Sequence, residues 1–346
     1  MLVTLNDIKF KMHKENKKKK IIITGVAGFV GFHLAELLLG KGYAVYGIDN
    51  LSDYYDPKIK RKRLAILRQS EHFTFKKLDL GKYKELFRTL SSVQADEIIH
   101  LAAQAGVRYS LTNPWAYADA NYLGTLNVFE AAKELQLPRV IYASSSSVYG
   151  DHDPTPFREE DRTDTPLSIY AASKKANEVL AHSYSHLYGM EMIGLRFFTV
   201  YGRWGRPDMA LFKFARAALL GEPIDLYNEG KMKRSFTHVS DIVGVIEKMT
   251  CKKVFPRHEL YNIGGAEAVP LLDFVAHIEQ ALDIIVEKNF LPLQPGDVPE
   301  TVADCSKVAA DYHYTPKLTI EKGIIDFASW FEENKKFLLS LEVGKQ

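Results

Sequence analysis

The 346 residues, 46% of them hydrophobic, suffice for about two domains with a sizeable core. Lys+Arg 45 against Asp+Glu 43 gives a net charge of +2, which excludes the strongly basic character of many nucleic-acid-binding proteins, so we expect no nucleic-acid partner. Cys251 and Cys305 lie far apart without ligand-spaced histidines, and no apolar run approaches about 20 residues, so we expect no metal site, no disulfide framework, no membrane insertion and a cytoplasmic location.

The first 20 residues are polar and basic, and four consecutive lysines at 17–20 precede the first apolar run. A run of like charges repels itself and is usually solvated. We therefore predict a flexible basic extension over residues 1–20.

Residues 21–24 predict a short buried strand, and a glycine-rich turn follows it directly. Gly25, Gly28 and Gly31 open a helix that we expect to run to Leu39. Glycines at this spacing allow a tight turn, a close approach of the backbone to a pyrophosphate, and packing of the helix on the strand. The turn is typical of a dinucleotide site, although a glycine turn in another α/β unit has the same pattern.

The second predicted strand, residues 43–48, ends in Asp49. A carboxylate at the tip of this strand can accept both ribose hydroxyls of adenosine and would repel a 2′-phosphate. The pattern therefore favours NAD over NADP. A basic stretch at 58–63 follows, which we interpret as a solvated helix face.

Further strands continue the alternation with helical stretches. Residues 73–78 predict a third strand that leads into Asp79, residues 96–101 a fourth that leads into Ala102, and residues 139–143 a fifth. Apolar strands alternating with helices indicate an α/β protein with a doubly wound parallel sheet.

Four serines at 144–147 follow the fifth strand, at the edge where ligands bind in open α/β sheets. A helix predicted over 168–187 carries Tyr170 and Lys174 four residues apart, on one face. An ammonium beside a phenol favours the ionised form, which would make Tyr170 a base. Ser145 precedes Tyr170 by 25 residues, enough for a loop to bring both hydroxyls to one substrate atom. A serine-rich turn and a solvated helix face are the alternatives.

After a sixth strand at 192–197 the alternation becomes irregular. We expect a smaller domain to begin near residue 199, and the chain to return to the first domain before it ends in a helix over 320–339. The predicted domains are 21–198 plus 236–263 for the dinucleotide, and 199–235 plus 264–346 for the substrate.

Four motifs in this order carry a family resemblance: Thr24-Gly25-x-x-Gly28-x-x-Gly31, Leu101-Ala102-Ala103, the serines before Val148-Tyr149-Gly150, and Tyr170-x-x-x-Lys174. Together they resemble the extended short-chain dehydrogenase/reductase family of nucleotide-sugar enzymes. The resemblance runs from residue 21 to the C-terminal helix. It implies a Rossmann domain with a smaller C-terminal substrate-binding domain.

Within that family, the chain is most similar to the members that epimerise UDP-glucuronate. This likeness is carried by residues 102–110, 142–150, 195–202, 205–210 and 294–298. It implies epimerisation at C4 through a 4-keto sugar, without decarboxylation. It also implies a homodimer that pairs through the predicted helices near 114–135 and 168–187.

The resemblance further implies bound NAD and assigns three catalytic roles. Tyr170 is the expected base, Lys174 lowers its pKa and holds the nicotinamide ribose, and Ser145 bonds the reacting oxygen. The expected cofactor contacts are Gly25, Gly28, Phe29, Val30, Gly31, Asp49, Asn50, Asp79, Leu80, Leu101, Ala102, Ala103 and Lys174.

A ketone at C4 with a carboxylate at C6 is a β-keto acid, so such an enzyme has to prevent decarboxylation. Hydroxyl and guanidinium donors suit a clamp that turns the C5–C6 bond away from the ketone π-system. An acidic residue stands at the position of Ser147 in the related dehydratases and decarboxylases, where it would repel the carboxylate. The expected clamp residues are Ser146, Ser147, Thr199 and Arg206, and the expected contacts to UDP are Lys213, Tyr227, Arg234 and Asp297.

Some alternatives stay open at this point. Arg206 could instead form a surface ion pair. The family usually has aspartate and tyrosine where this chain has Ser235 and His238, a departure that we expect to affect substrate affinity more than reaction type. The rival functions are UDP-glucuronate decarboxylase, neutral UDP-hexose 4-epimerase, and a non-enzymatic NAD-binding sensor.

Overall fold

The computed structural model of the protein describes residues 19–151, 155–252, 257–265 and 267–344. The basic extension predicted over residues 1–20 lies outside these ranges as far as residue 18. Its last two residues belong to the fold, because Nζ of Lys19 lies 2.9 Å from a carboxylate oxygen of Glu97 and Lys20 begins the first strand. The folded part therefore begins two residues earlier than predicted.

Seven parallel strands form the large sheet, as the apolar strands separated by helices predicted. The strands of the chain are β1 (Lys20–Thr24), β2 (Ala44–Asp49), β3 (Phe73–Lys77), β4 (Glu97–His100), β5 (Arg139–Ser145), β6 (Glu191–Phe197), β7 (Thr199–Tyr201), β8 (Ile224–Tyr227), β9 (Lys233–His238), β10 (His258–Ile263), β11 (Ala268–Pro270), β12 (Lys288–Leu291) and β13 (Glu300–Thr301). The order across the large sheet is β10-β6-β5-β4-β1-β2-β3. This is a doubly wound Rossmann sheet, so the predicted fold class is confirmed.

Helices cover both faces of the large sheet. The helices are α1 (Phe29–Gly40), α2 (Pro57–Leu67), α3 (Tyr83–Val93), α4 (Tyr109–Thr112), α5 (Pro114–Tyr117), α6 (Gly124–Glu134), α7 (Ile169–Tyr188), α8 (Ala210–Leu220), α9 (Val239–Cys251), α10 (Leu271–Leu282), α11 (Ser306–Tyr312), α12 (Ile320–Glu333) and α13 (Lys335–Leu339). Helices α1 and α9 share one apolar core with the sheet, whereas α3, α6 and α7 share the core on the other face. Both faces of the central strands are therefore buried, which explains their nearly continuous apolar sequences.

The helix predicted over 114–135 is interrupted. A π-helical turn, Ala118–Leu123, separates α5 from α6. In this turn the amide of Asn121 accepts from the backbone N–H of Gln104 at 2.8 Å and donates to its carbonyl at 3.0 Å. The wide turn thus joins this helix to the loop after β4, and π turns of this kind often lie at functional sites.

The smaller part of the fold lies beyond the carboxyl ends of the large sheet. It contains the pair β8–β12 and the sheet β11-β9-β13, with β7 paired to β9. Its core is built by α8, α10 and α12, which bury the aromatic side chains of Phe212, Phe274, Phe327 and Phe331. The predicted C-terminal helix is broken at Asn334, between α12 and α13.

One segment differs from the predicted domain division. Helix α11 lies in the range 264–346 assigned to the substrate domain, but Val308 and Tyr312 are buried in the core that α1 and α9 form on the large sheet. The hydroxyl of Tyr261 on β10 donates to Asp311 at 2.7 Å. The chain thus returns to the Rossmann layer twice, because α11 covers the edge strand β10. Among the described helices, none is long and apolar enough to cross a bilayer.

Candidate active site

A cleft of about 850 Å³ separates the carboxyl ends of the large sheet from the smaller part of the fold. Its floor is made by the loops after β1, β2, β4 and β5, and its roof by residues around α8, β8 and β9. Every residue that the sequence nominated lines this one cleft: Gly25, Gly28, Phe29, Val30, Gly31, Asp49, Asn50, Asp79, Leu80, Leu101, Ala102, Ala103, Ser145, Ser146, Ser147, Tyr170, Lys174, Thr199, Arg206, Lys213, Tyr227, Arg234 and Asp297.

The glycine turn between β1 and α1 has no room for side chains. A Cβ atom on Gly25 would lie 2.7 Å from the backbone nitrogen of Ala102, and φ at Gly25 is +74°. A Cβ on Gly31 would lie 2.2 Å from the carbonyl oxygen of Gly25. Helix α1 begins after Gly28, which has no side chain to cap its N–H groups. The turn therefore presents backbone and a helix N-terminus to the cleft, which fits a pyrophosphate.

Asp49 stands at the end of β2 beside this turn and is 8% exposed. One of its carboxylate oxygens accepts from the backbone N–H of Leu51 at 2.8 Å, and the other from that of Ala27 at 3.2 Å. These bonds fix the carboxylate, whose oxygens can accept more than one bond each. Asn50 donates to Asp79 at 3.3 Å on the next strand end. This donor and acceptor set fits the adenosine end of a dinucleotide.

Ser145 and Tyr170 meet at the centre of the cleft. Ser145 ends β5, and a short 3₁₀ turn over Ser146–Tyr149 follows it. The hydroxyl of Ser145 lies near enough to the phenol of Tyr170 to act on its pKa as a hydrogen-bond partner, and the hydroxyl of Ser147 donates to that of Ser145 at 2.9 Å. Ser145 reaches the cleft because it lies at the carboxyl end of a parallel strand, where the chain turns out of the sheet.

The pKa of Tyr170 lies above its ordinary value. Burial raises it, and the hydrogen bond from Ser145 and the charge of Arg206 oppose this rise only partly. The sequence interpretation gave the lowering role to Lys174, but in the structure Nζ of Lys174 donates to the carbonyl of Ala143 at 2.9 Å. The groups of this chain that lower the pKa of Tyr170 are therefore Ser145 and Arg206.

Lys174 is itself strongly perturbed. Burial lowers its pKa to about 8, although the carboxylate of Glu178, one helical turn away, acts to raise it. Glu178 is held by Arg196 through two bonds of 2.9 Å, and it accepts from the hydroxyl of Ser144 at 2.6 Å. This network ties β5, β6 and α7 together directly beneath the catalytic candidates.

The lowered pKa predicts how Lys174 affects stability. A lysine that holds its proton less well in the folded protein than in the unfolded chain destabilises the protein below both pKa values, and the penalty fades as pH rises from the folded value to the unfolded one. We expect Lys174→Met, without cofactor, to raise the free energy of unfolding by about 2 kcal/mol at neutral pH, less between about pH 8 and pH 10. Urea titrations of wild type, Lys174→Met and the exposed control Lys82→Met measure this, and a difference that does not change with pH would contradict it.

Arg206 lies in the cleft close enough to Tyr170 for its charge to act on the phenol. The alternative of an ion pair is partly right, because Arg206 pairs with Asp208 through Nε, at 3.0 Å, and through Nη2. The pair lines the cleft rather than the outer surface, with side-chain exposures of 19% and 9%. The hydroxyl of Tyr54 also donates to Asp208, at 3.1 Å. Sequence reasoning missed Asp208 and Tyr54, although the i, i+2 spacing of Arg206 and Asp208 was a signal for the first.

The far end of the cleft holds a cluster around Arg108, which sequence reasoning quoted in a motif but did not nominate. Arg108 donates to Asp297 at 2.9 Å, and its guanidinium lies 4.1 Å from the ring centroid of Tyr227. The pKa of Lys213 is lowered, first by the burial of Lys213 itself and second by the charge of Arg108. The three nominated residues Lys213, Tyr227 and Asp297 therefore lie together.

Arg234 is largely engaged by the backbone. It donates to the carbonyls of Pro299 at 2.9 Å and Val298 at 2.7 Å, and burial lowers its pKa. The unusual Ser235 is buried and donates to the carbonyl of Gly265 at 3.2 Å, while His238 caps α9 by accepting from the N–H of Ser240. Ser235 and His238, the two residues that depart from the family pattern, therefore both form hydrogen bonds within the fold.

Among the described residues, no group of three or more His, Cys, Asp or Glu side chains is arranged to hold a metal ion.

A model of the NAD dependent epimerase/dehydratase family matches residues 21–264. An uncharacterised protein of Methanocaldococcus jannaschii is 51% identical over 94% of this chain and all of its own length, and a probable UDP-glucuronate 4-epimerase of Rhizobium meliloti is 43% identical over 91% of this chain and 97% of its own. The crystal structure of a UDP-glucuronic acid 4-epimerase from Bacillus cereus, in complex with UDP-glucuronic acid and NAD, superimposes with a TM-score of 0.85 at 31% identity, covering 91% of this chain and 99% of that one.

Proposed function

Because the chain belongs to the NAD-dependent epimerase/dehydratase family, we propose that it epimerises UDP-glucuronate at C4 to UDP-galacturonate without loss of carbon dioxide. The observation that carries the proposal is that Arg206 lines the same cleft as Tyr170, Ser146, Ser147 and Thr199, where its charge acts on the phenol of Tyr170. Relatives named for this reaction, at 43% and 31% identity, support the choice of substrate.

In this mechanism Tyr170 takes the proton of the sugar 4-hydroxyl, and Ser145 holds the same oxygen by a hydrogen bond. NAD, when bound, supplies the hydride acceptor for C4 and the donor for the return to the other face of the sugar. Gly25, Gly28 and Gly31 would hold its pyrophosphate, Asp49 its adenosine ribose, and Lys174 its nicotinamide ribose. After the sugar turns over, Tyr170 returns its proton to the oxygen on C4.

The burial that raises the pKa of Tyr170 has a consequence for this step. A phenol at its ordinary pKa near ~10 is almost entirely protonated at neutral pH. The hydrogen bond from Ser145 and the charge of Arg206 both favour the phenolate and so work towards catalysis. In this proposal Tyr170 is the base, and Ser145 and Arg206 favour its ionised form.

The carboxylate of the substrate would lie among Arg206, Ser146, Ser147 and Thr199. Hydrogen bonds from these donors hold the carboxylate in place, so that the C5–C6 bond stays out of line with the ketone π-system. Lys213, Tyr227, Arg234 and Asp297, together with Arg108, would contact the UDP part at the other end of the cleft.

A second candidate, the 4-epimerisation of a neutral UDP-hexose, is favoured by one observation. Arg206 is already paired with Asp208, so a sugar without a carboxylate would not leave its charge unpaired. Decarboxylation of UDP-glucuronate is disfavoured by the hydroxyl of Ser147, which places no negative charge beside the carboxylate.

Proton NMR of UDP-glucuronate with the protein and NAD, with trapping of carbon dioxide, tests the proposal. We expect UDP-galacturonate to appear without carbon dioxide. UDP-xylose with carbon dioxide would establish the decarboxylase instead. No change with UDP-glucuronate but turnover of UDP-glucose would establish the second candidate.

We also propose that the protein is a homodimer. In the described part of the chain, the turn before α6, α6 itself and α7 leave six large apolar side chains substantially exposed: Tyr122, Leu123, Leu126, Val179, Leu187 and Tyr188. Exposed apolar patches of this kind usually mark interaction sites. Sedimentation equilibrium should give twice the mass of the 39.2 kDa chain, and a monomer at micromolar concentration would contradict the proposal.

A further inference from the structure

The contact between Arg206 and Asp208 is bidentate and directional. The carboxylate of Asp208 occupies the edge of the guanidinium that carries Nε and Nη2. A ligand in the cleft therefore has to approach from the Nη1 side. The hydroxyl of Tyr54 fixes Asp208 in turn, at 3.1 Å, so that the orientation of Arg206 is set by a chain of two hydrogen-bonded contacts.

The surroundings enclose this pair. The guanidinium carbon of Arg206 lies 5.8 Å from the ring centroid of Tyr54. The C-terminal segment covers the same place, since a Cβ on Gly344 would lie 3.0 Å from the backbone oxygen of Tyr54 and 3.6 Å from Cβ of Asp208. Burial acts to lower the pKa of Arg206, but the carboxylate of Asp208 outweighs it and the pKa rises. The guanidinium is thus charged, compensated and held in one direction.

We infer that Asp208 is a positioning residue. By fixing the direction of Arg206, it suppresses loss of the substrate carboxylate as carbon dioxide. The inference rests on the proposed function. With Asp208 in place, Arg206 can reach the substrate carboxylate only with its remaining edge, and the carboxylate is held by directional bonds rather than by excess positive charge.

The reaction that Asp208 suppresses is decarboxylation of the 4-keto sugar. In that reaction the C5–C6 bond breaks, its electron pair forms the enolate across C4 and C5, carbon dioxide leaves, and a proton adds at C5. A cation beside the carboxylate opposes this loss of charge, whereas a cation beside the C4 oxygen stabilises the enolate. The charge of Arg206 acts on the phenol of Tyr170, the group that faces the C4 oxygen in the proposed mechanism, and the two bonds to Asp208 hold the guanidinium in one direction.

The test compares Asp208→Asn with wild type in the presence of NAD and UDP-glucuronate, by measuring carbon dioxide released per UDP-galacturonate formed. We expect this ratio to rise at least about tenfold above the background measured with wild type, as for a loss of roughly 1.4 kcal/mol of positioning. Asp164→Asn is the matched control, because Asp164 forms an exposed pair with Arg162 at the same i, i+2 spacing. Asp208→Glu keeps a carboxylate that can pair with Arg206, so it should raise the ratio less than Asp208→Asn. It also provides a second variant to measure if Asp208→Asn folds poorly.

A binding measurement separates this inference from the proposed function. In a Tyr170→Phe background, Asp208→Asn should raise the affinity for UDP-glucuronate relative to UDP-glucose several-fold, because the charge of Arg206 is no longer compensated. If wild type converts UDP-glucuronate and the carbon dioxide ratio stays at the wild-type value in both Asp208 variants, the inference is wrong. If wild type does not convert UDP-glucuronate, the proposed function fails, and an unchanged affinity ratio would then overturn the inference as well.

Discussion

Replacement of Tyr170 by phenylalanine should lower kcat by a factor of about 100 to 10,000, the range typical for loss of a general acid–base group. The ring would stay in place, because the change removes only the hydroxyl that is bonded to Ser145. The glycine turn and Asp49 are untouched, so the variant should keep its NAD. Turnover of UDP-glucuronate and the nucleotide released on denaturation measure the two effects separately.

A matched control lies on the same helix. Tyr188 also belongs to α7 and is half exposed, and Tyr188→Phe removes a hydroxyl far from the cleft. It should leave kcat within about twofold of wild type. Undiminished activity of Tyr170→Phe would remove Tyr170 from the mechanism, and loss of NAD from this variant would mean that the effect is one of cofactor binding.

Glu178→Gln should destabilise the protein by about 3–5 kcal/mol, the usual cost of leaving one partner of a buried ion pair uncompensated. The side chains of Glu178 and Arg196 are each only 2% exposed. Loss of the carboxylate would also remove the influence that raises the pKa of Lys174, so less of the lysine would be charged at neutral pH. Urea unfolding of the purified variants measures the first effect.

Two further variants decide whether the cost comes from an unpaired charge. The double variant Glu178→Leu with Arg196→Met should be more stable than either single variant, because it leaves no buried charge behind. Glu332→Gln, which breaks the exposed pair with Lys335, should change the free energy of unfolding by less than about 0.5 kcal/mol. A cost of Glu178→Gln similar to that of Glu332→Gln would show that the buried pair does not stabilise the fold.

The nominated site residues whose placement in the cleft can be explained from the sequence are local in the chain. The turn at Gly25, Gly28 and Gly31 follows from a strand, three glycines and a helix in immediate succession, and the structure shows why no side chain fits there. Tyr170 and Lys174 follow from a four-residue spacing on one helix. Such features depend on neighbours in sequence, so the periodicity of the chain is enough to place them.

The parts that the sequence could not give depend on contacts between distant residues. Arg108 and Asp297 are 189 positions apart, and nothing local indicates that they pair. Lys174 was expected to act on Tyr170, but the end of β5 offers it the carbonyl of Ala143, which only the packing of α7 on β5 decides. Helical structure was predicted over 114–135, but the π-helical turn within it, where Asn121 bonds to the loop after β4, depends on a contact outside the helix.

The departures at Ser235 and His238 show the same limit. From the family pattern, these departures were expected to affect substrate affinity more than reaction type. In the structure Ser235 accepts from the backbone N–H of Ala303 at 3.2 Å and also donates to Gly265, so it joins β9 to two neighbouring segments. The expected effect on substrate affinity stays a prediction.

Transfer of the C4 hydrogen tests the central claim most directly. With UDP-glucuronate that carries deuterium at C4, the account predicts UDP-galacturonate with deuterium still at C4, because the hydride leaves and returns within one closed site while Tyr170 handles only the hydroxyl proton. Deuterium found in the solvent, or UDP-galacturonate that has lost the deuterium from C4, would contradict this closed transfer of hydride through a 4-keto sugar.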